Sequence, residues 1–294
     1  MKTNALSLSI ARRSWFELVT KSCLLLGFTL FVHQALAGEA LPRPDHVVIV
    51  IEENKSFSQI IANDAAPYIN SLAQRGVLFT ESFGVTHPSQ PNYLALFSGS
   101  THGVHSNACP LKLSGENLAS ALVMHGLSFN SYSQSMLVPS FAGCMYGAYM
   151  RKHNPVSNWY ELAPFNHNFT SFPHDFSQLP TVAFVIPDQQ NDMHDDSIAK
   201  GDSWLSHNLD QYALWAMTHN SLLVVTWDED NGSENNRVAT ILVGPMVKPG
   251  ISAQHINHYS VLRMLSDMYG LPYLGESNKA DSISSVWQTA HNSN

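Results

Sequence analysis

Three carboxylates follow two apolar segments of the sequence, and together they could bind a divalent metal ion. Glu53 comes shortly after residues 46–51, and Asp228 and Glu229 come directly after residues 222–227. Crowded carboxylates repel one another unless a cation lies between them, and their oxygens are the ligands that hard cations prefer. Each acid alone could instead be a solvated strand-end residue or a helix cap. The repeated pattern favours a metal site, for which oxygen ligation suits Mg, Ca or Mn and nearby histidines leave Zn open.

Ser89 is a candidate nucleophile in a proline-rich turn. It lies between Pro88 and Pro91, and Asn92 follows. A metal ion in contact with the hydroxyl would lower its pKa and activate it without a neighbouring base. The Asn92 amide could donate to a developing oxyanion, or it could cap a helix. Since a serine in such a loop is usually a turn residue, the nucleophile hypothesis depends on the metal site.

Two histidines, His194 and His258, are candidate proton donors to a leaving group, or ligands of a second metal ion. His194 stands in the polar segment that follows the apolar residues 182–186. A single histidine is more often a core or surface residue, so the position of His194 near a strand end is what favours a functional role. The sequence contains neither a G-x-S-x-G motif nor a glycine-rich phosphate loop, which argues against an α/β-hydrolase esterase.

The elements that must position these residues alternate along the chain. Predicted strands cover residues 46–51, 77–80, 127–132, 181–186, 222–227 and 238–243. Predicted helices cover residues 67–75, 93–98, 116–125, 203–218 and 259–269. Strands that alternate with helices predict an α/β fold with a mostly parallel sheet between helical layers. Because functional groups collect beyond the carboxyl ends of such strands, we expect the candidate residues at one rim.

A region that is poorer in periodic pattern and rich in aromatic residues, about 106–175, is expected to form a small cap over that rim. Its aromatic side chains could contact a lipid or a nucleoside, or they could simply pack inside the cap. They are Phe129, Tyr132, Phe141, Tyr146, Tyr149, Trp159 and Tyr160.

The composition is that of a globular protein. The chain has 294 residues, of which 44% are hydrophobic and 13% charged, with a formal net charge of −8. These values exclude a disordered chain, a collagen-like fibre and a coiled coil. The acidic balance argues against nucleic acid as a partner, because nucleic acid is usually bound by a basic surface.

The first 37 residues have the parts of a secretory signal peptide. Basic residues precede the apolar run at 23–32, and an A-x-A site ends at Ala37. The run is short for a membrane-spanning helix, so we expect no transmembrane segment in the mature chain, although an uncleaved anchor is the alternative. Arg12 and Arg13 also suggest a twin-arginine signal. Cleavage near Ala37 predicts a periplasmic or secreted protein with a single domain over residues 38–294.

Two cysteines, Cys109 and Cys144, remain after the predicted cleavage. An even number of cysteines in an exported protein predicts a disulfide between them, with two buried free thiols as the alternative.

Six segments together resemble the bacterial and fungal acid phosphatase and phospholipase C phosphoesterase family, which belongs to the alkaline-phosphatase-like superfamily. They are Glu52–Phe57, His87–Tyr93, Arg151–Pro155, Asn191–Asp195, Thr226–Asp230 and the segment that begins at His258. The resemblance spans about residues 45–272 and implies a three-layer α/β/α sandwich. It also implies a site with one divalent metal ion.

The resemblance assigns a role to each matching residue. The metal ligands would be Glu53, Asn54, Ser89, Asp228 and Glu229, with Ser89 also the nucleophile. The phosphoryl group would be held by Asn92, Asp192, Arg151 and His153, and the leaving group protonated by His194 or His258.

The function expected on this basis is an exported metal-dependent phosphomonoesterase of the acid phosphatase type, acting through a phosphoserine intermediate. Its partner would be a small phosphoester, with a phospholipid headgroup as one candidate. One alternative is a phosphodiesterase such as a phospholipase C on the same site, and a second is an exported metal-binding module without turnover.

Overall fold

An eight-stranded sheet forms the centre of the computed structural model, which describes residues 41–288. The predicted signal peptide and its cleavage site at Ala37 lie outside the described residues. The strands are β1 (His46–Glu52), β2 (Val77–Phe83), β3 (Phe129–Ser133), β4 (Met145–Tyr146), β5 (Tyr149–Met150), β6 (Asn166–Asn168), β7 (Val182–Ile186), β8 (Ser221–Trp227), β9 (Arg237–Val243) and β10 (Gly250–Asn257). Their order in the sheet is β10-β2-β9-β8-β1-β7-β3-β6, and β4 pairs with β5 separately.

The sheet is mostly parallel, as the sequence predicts. Only β9 runs against its neighbours, β2 and β8, among the strands of this sheet in the described residues. The central strand β1 is a continuous apolar run because both of its faces are covered. Val47 and Ile49 contribute to the core on one face, whereas Val48 and Val50 contribute to the core on the other.

Helices cover both faces of the sheet. They are α1 (Phe57–Ile60), α2 (Pro67–Arg75), α3 (Ser89–Ser98), α4 (Leu118–Met124), α5 (Ile198–Ala216) and α6 (His258–Tyr269). Residues of α3, α4 and α6 line one core, and residues of α2 and α5 line the other. This arrangement confirms the three-layer α/β/α sandwich.

Two elements differ from the sequence prediction in ways that affect the site. Helix α3 begins at Ser89, whereas the sequence predicted a start near Tyr93. Ser89 is therefore the first residue of a helix rather than part of a preceding turn. Strand β10 was not predicted, because it lies at the sheet edge and most of its side chains are exposed or only partly buried.

The segment between α3 and β7 covers the carboxyl-end rim with a short hairpin, β4–β5, and several 3₁₀ turns. Its boundaries differ from the predicted cap at 106–175, because α4, β3 and β6 inside that range belong to the sandwich. The predicted disulfide between Cys109 and Cys144 is present and ties the start of this segment to the hairpin. We use "cap" below for residues 134–165.

A search of residues 41–288 for a helix long and apolar enough to cross a membrane finds none.

The disulfide should contribute measurably to stability. It closes a loop of 35 residues, and in the chain-entropy picture this stabilises the fold by about 3–4 kcal/mol. Replacing Cys109 and Cys144 together by serine is expected to lower the free energy of unfolding in urea by about that amount. Equal unfolding midpoints for the variant and the wild type, both without reductant, would contradict this expectation.

Candidate active site

The parallel register of two central strands brings the predicted acidic residues together. Glu52 of β1 pairs with Trp227 of β8, and the backbone N–H of Asp228 donates to Glu52 O at 3.0 Å. Glu53 and Asp228 are therefore the next residues at the carboxyl ends of adjacent strands. Glu229 follows, and the side chains of all three acids are almost completely buried.

Ser89 reaches the same point from the first turn of α3. Its Oγ lies 3.1 Å from both Glu53 Oε2 and Glu229 Oε1, so that its single O–H can donate to either, and the side chain is buried. The N-terminus of a helix carries a partial positive charge, which favours an anion beside it. The serine is thus held between two carboxylates at a position suited to a phosphoryl group.

Asn54 completes an oxygen-rich cluster. With its amide nitrogen turned inward it lies 3.0 Å from Glu229 Oε1 and 3.2 Å from Glu53 Oε2, the two oxygens that Ser89 contacts. With its amide oxygen turned inward, the Asn54 oxygen would face the carboxylate oxygens of Glu53 and Glu229. A cation among these three oxygens would then be needed to offset their repulsion. Its backbone is left-handed, with φ 47°, and its N–H donates to Asp228 Oδ1 at 3.2 Å. The other oxygen of Asp228 is buried without a hydrogen-bond partner.

The negative charges of this cluster are not fully offset by positive groups of the described residues. Burial, followed by repulsion from Glu53 and Glu229, raises the pKa of Asp228 well above its usual range. Burial also raises the pKa of Glu229, and repulsion from Glu53 adds to this. In residues 41–288 no set of three or more His, Cys, Asp or Glu side chains alone is arranged to hold a metal ion. Any metal here would need the Asn54 amide and the Ser89 hydroxyl as well as carboxylates.

A second cluster offsets the negative charge of Glu53 at Oε1, the carboxylate oxygen that does not contact Ser89. The Tyr93 hydroxyl donates to Glu53 Oε1 at 2.6 Å, and His153 Nε2 lies 3.0 Å from the same oxygen. The His153 ring stacks on Tyr93, and its Nδ1 is 3.4 Å from Asp192 Oδ2. Burial alone would lower the pKa of His153, but the Glu53 and Asp192 carboxylates raise it to about 9. His153 is therefore a buried cation that keeps Glu53 ionised.

Comparisons with known proteins fit this geometry. A sequence model described as the Phosphoesterase family matches residues 60–272. The chain belongs to the phosphoesterase family. It is 46% identical over 256 residues to the phosphatidylinositol-3-phosphatase of Mycobacterium tuberculosis, and the match covers 86% of each chain. It is 32% identical over 251 residues to an acid phosphatase of Aspergillus fumigatus, which covers 76% of this chain but 54% of the fungal one.

The fold has a known counterpart as well. A solved structure of an alkaline phosphatase superfamily protein from Vibrio parahaemolyticus superimposes with a TM-score of 0.56 at 12% identity, covering 81% of this chain and 70% of that one. The sandwich is thus of the alkaline-phosphatase type. Family membership makes the chain a phosphoric ester hydrolase.

Two residues predicted to bind the phosphoryl group are used elsewhere in this phosphoesterase. Asn92 accepts hydrogen bonds from the N–H groups of Val85 and Thr86, and its amide donates to Thr86 O at 2.8 Å. Arg151 donates to three backbone carbonyls, those of Ala142 and Ser157 in the cap and that of Leu111 before it. Both side chains thus hold loop backbone in this structure, and their roles as phosphoryl contacts remain predictions.

Asp192 also supports the site from behind. Its backbone carbonyl accepts from Glu53 N at 2.8 Å, and its Oδ1 accepts from His194 N at 2.8 Å. With His153 on its other carboxylate oxygen, Asp192 connects β1 to the loop after β7. Asp192 and His153 were both predicted to contact the phosphoryl group directly. In this structure both side chains face other protein groups, and that role remains a prediction.

The two candidate proton donors have different surroundings. His194 is partly exposed, with Nε2 3.2 Å from Lys152 Nζ and its ring centroid 5.9 Å from that of His153. His258 is buried at the start of α6, where its Nε2 lies 2.6 Å from the backbone oxygen of Asp228. Burial lowers the pKa of His258 to about 4, so the ring is neutral and donates to that carbonyl. His258 therefore supports the Asp228 backbone in this structure, and its role as a proton donor remains a prediction.

His87 is a site residue to which sequence reasoning assigned no role. Its Nδ1 lies 2.7 Å from Glu229 Oε2 and its Nε2 lies 3.3 Å from Asp230 Oδ1, while about half of the side chain is exposed. The available signal was its place two residues before Ser89 in the same motif. Tyr93 was missed for a similar reason: it lies in the motif, but an apolar helical position does not reveal a buried hydroxyl contact.

The buried His258 should make stability fall in mild acid. The unfolded chain binds a proton on this histidine near pH 6.5, but the folded chain does so only near pH 4. The unfolded state thus holds more protons between these values, and folding stability is lost as pH falls, by on the order of 3 kcal/mol. In His258→Gln, which lacks this titration, the stability deficit relative to wild type is expected to shrink as pH is lowered from 7 to 4.

Melting temperatures measured across that range would test this. His207→Gln changes an exposed histidine and is the matched control, expected to follow the wild type at every pH. A deficit of His258→Gln that stays constant from pH 7 to pH 4 would refute the assignment.

Proposed function

We propose that this phosphoesterase hydrolyses phosphomonoesters with a divalent metal ion and a phosphoserine intermediate at Ser89. The observation that carries the proposal is the Ser89 hydroxyl, which lies 3.1 Å from each of two buried carboxylates at the N-terminus of α3. A buried serine between two acids is poorly placed as a structural residue, because the acids repel one another. It is well placed as a nucleophile beside a cation.

The residues present fit a bound cation. The oxygens of Glu53 and Glu229 are each 3.0 to 3.2 Å from the Ser89 hydroxyl and from the inner end of the Asn54 amide. Neighbouring ligands of one small divalent ion are separated by about 3 Å when each bond is about 2.1 Å long. The partnerless Asp228 Oδ2 is a further available ligand. We therefore propose Glu53, Asn54, Ser89, Asp228 and Glu229 as the residues that would hold the ion.

When bound, the ion would supply positive charge to the serine oxygen and to the phosphoryl oxygens. Ser89 gives its hydroxyl proton to one of the two carboxylates that it contacts, and its Oγ attacks phosphorus while the bond from phosphorus to the leaving oxygen breaks, so that the phosphoryl group is transferred to the serine. His194, the more exposed of the two histidines, is the candidate donor of a proton to the leaving oxygen. Water then cleaves the phosphoserine, releasing phosphate and restoring the hydroxyl.

Positive groups of the protein line the side of the site toward the cap. Lys152 and His153 follow one another on the cap, and His194 lies against Lys152. Stabilisation of the charge on a transferring phosphoryl group is the largest contribution to this kind of catalysis. We assign that role to Lys152, to His153 and to the start of α3, and Arg151 and Asn92 remain predicted contacts.

We infer a lipid-linked phosphomonoester as the first substrate class to test. The support is the similarity to a protein named phosphatidylinositol-3-phosphatase, together with the coverage of most of both chains. A phosphodiester assayed in parallel separates this proposal from a phospholipase C. We also propose export, which the Cys109–Cys144 disulfide supports because such bonds persist in oxidising compartments.

Replacing the nucleophile should abolish turnover without removing the metal site. Ser89→Ala is expected to lower phosphomonoester turnover by about 10³-fold or more while the purified protein still binds a divalent ion. Ser98→Ala, at the other end of the same helix, is the matched control and should retain activity. Near-normal turnover by Ser89→Ala would show that the nucleophile is another group.

Chelation should affect both activity and stability. Removing the ion is expected to abolish turnover and to lower the melting temperature, because Glu53, Asp228 and Glu229 then repel one another without compensation. Adding back Mg, Ca, Mn or Zn singly identifies the ion by recovery of both readouts. Glu229→Gln should weaken the stabilisation by metal, whereas Glu234→Gln in the same loop should not. If chelation changes neither the melting temperature nor the turnover, the metal assignment is wrong.

A further inference from the structure

Exposed apolar side chains are concentrated on the cap. Leu137, Val138, Met145, Tyr146 and Tyr160 are between 46% and 94% exposed, and they make up half of the large hydrophobic side chains exposed in the described residues. We call these five residues the cap surface. Four of the aromatic residues noted in the sequence, Phe129, Tyr132, Tyr149 and Trp159, are instead buried and pack inside the protein. Packing thus explains most of the aromatic content, but it does not explain Tyr146 and Tyr160.

The members of the cap surface lie on segments that contact one another. The N–H of Phe141 donates to Val138 O at 3.2 Å, and the Phe141 ring packs against Tyr146 with 6.2 Å between centroids. Ser140 donates to Ala163 O, which attaches the same loop to the 3₁₀ turn that begins at Tyr160. These contacts join the loop after β3, the β4–β5 hairpin and the 3₁₀ turn that begins at Tyr160 in one part of the cap.

This surface is connected directly to the proposed site. At the hairpin turn, Ala148 O accepts from Gln189 N at 3.1 Å, and Gln189 begins the loop that carries Asp192 and His194. Lys152 and His153 follow β5 along the chain. The hairpin is also fixed in place by the disulfide at Cys144 and by the Arg151 N–H, which donates to Cys144 O at 3.0 Å.

The charge of this region differs from that of the rest of the chain. Residues 117–160 contain no Asp or Glu, although the whole sequence has 23 of them. The cap itself contains one acid, Glu161, which is exposed next to Tyr160. Lys152 is partly exposed, whereas Arg151 is buried. An anionic surface is therefore not repelled by the cap as it would be by the acidic remainder of the protein. Tyrosines that expose an apolar ring and a polar hydroxyl are typical of side chains that lie at a lipid–water interface.

We propose that the cap surface binds a phospholipid bilayer, so that a phosphorylated headgroup reaches Ser89 while its acyl chains stay in the membrane. The proposal rests on the phosphomonoesterase function proposed above, and it adds the physical form in which the substrate is presented. The exposed apolar side chains, the low number of acids in the cap and the adjacent Lys152 favour a lipid surface as the partner.

The test compares binding and turnover on vesicles with turnover of a soluble substrate. The vesicles contain phosphatidylcholine with or without a phosphatidylinositol monophosphate, and the soluble substrate is a chromogenic phosphomonoester. A triple variant, Met145→Ser with Tyr146→Ser and Tyr160→Ser, is expected to lose about tenfold or more in vesicle binding and in turnover of the vesicle lipid. Its turnover of the soluble substrate and its melting temperature should stay within about twofold and a few degrees of wild type.

Leu214→Ser combined with Ile251→Ser is the matched control. These side chains are 55% and 76% exposed on α5 and β10, outside the cap, and their loss should leave vesicle binding unchanged. Equal loss in this control, or wild-type vesicle turnover by the triple variant, would overturn the proposal. So would a wild-type protein that self-associates through the cap, with the triple variant monomeric and both binding vesicles equally.

The inactive Ser89→Ala variant separates this proposal from the function on which it rests. If Ser89→Ala binds vesicles as wild type does, and the triple variant does not, the cap surface is supported whether or not the lipid is hydrolysed. If the wild type cleaves the soluble phosphomonoester but binds neither kind of vesicle, the phosphomonoesterase function stands and the cap surface proposal is wrong.

Discussion

The arrangement of the site follows from the need to offset the repulsion among three buried carboxylates. Glu53, Asp228 and Glu229 are brought together by the register of β1 and β8, and water is excluded from all three. Bringing such charges into one place costs free energy, which other groups must offset. His153 and Tyr93 do so for Glu53, and His87 does so for Glu229. Asp228 accepts from the Asn54 N–H on one oxygen, and its other oxygen has no hydrogen-bond partner among residues 41–288. The protein groups therefore offset part of the repulsion, and the remainder favours a cation at Ser89.

This electrostatic requirement explains why several residues of the motifs act as supports. Asp192 holds His153 and the start of the loop after β1, and His258 holds the carbonyl of Asp228. Asn92 fixes the loop that precedes Ser89 by bonding its N–H and C=O groups. A nucleophile and a metal ion must be kept at nearly fixed positions for efficient transfer, and such supports provide that rigidity. A residue can thus belong to a functional motif without touching the substrate.

The sequence predicted most of the sheet and which acids come together at its rim, but not these contacts. The runs in β1, β7 and β8 are apolar on both faces, so their periodicity identifies them without knowledge of the fold. Strand β10 is half-exposed at an edge, and its mixed pattern carries no such signal. The start of α3 at Ser89 was hidden by Pro88 and Pro91, which read equally as a turn or as a helix start. Arg151 was predicted to bind phosphate because it lies in a segment that resembles the family. Its three carbonyl partners, one of them 40 residues away, follow only from the folded structure.

The cap connects the interior of the site to the outer surface. Arg151 donates to two carbonyls of the cap and to Leu111 O before it, Tyr149 and Trp159 are buried within the cap, and the disulfide joins Cys144 of the cap to Cys109. These contacts hold the cap in place, because moving it would break the hydrogen bonds of Arg151 to backbone carbonyls and expose two aromatic side chains. The same short segment places His153 inside, against Glu53, and Met145 and Tyr146 outside. A change in the outer residues can therefore alter which substrates approach without disturbing the carboxylates. Changes to the inner residues alter the charge balance on which Ser89 depends.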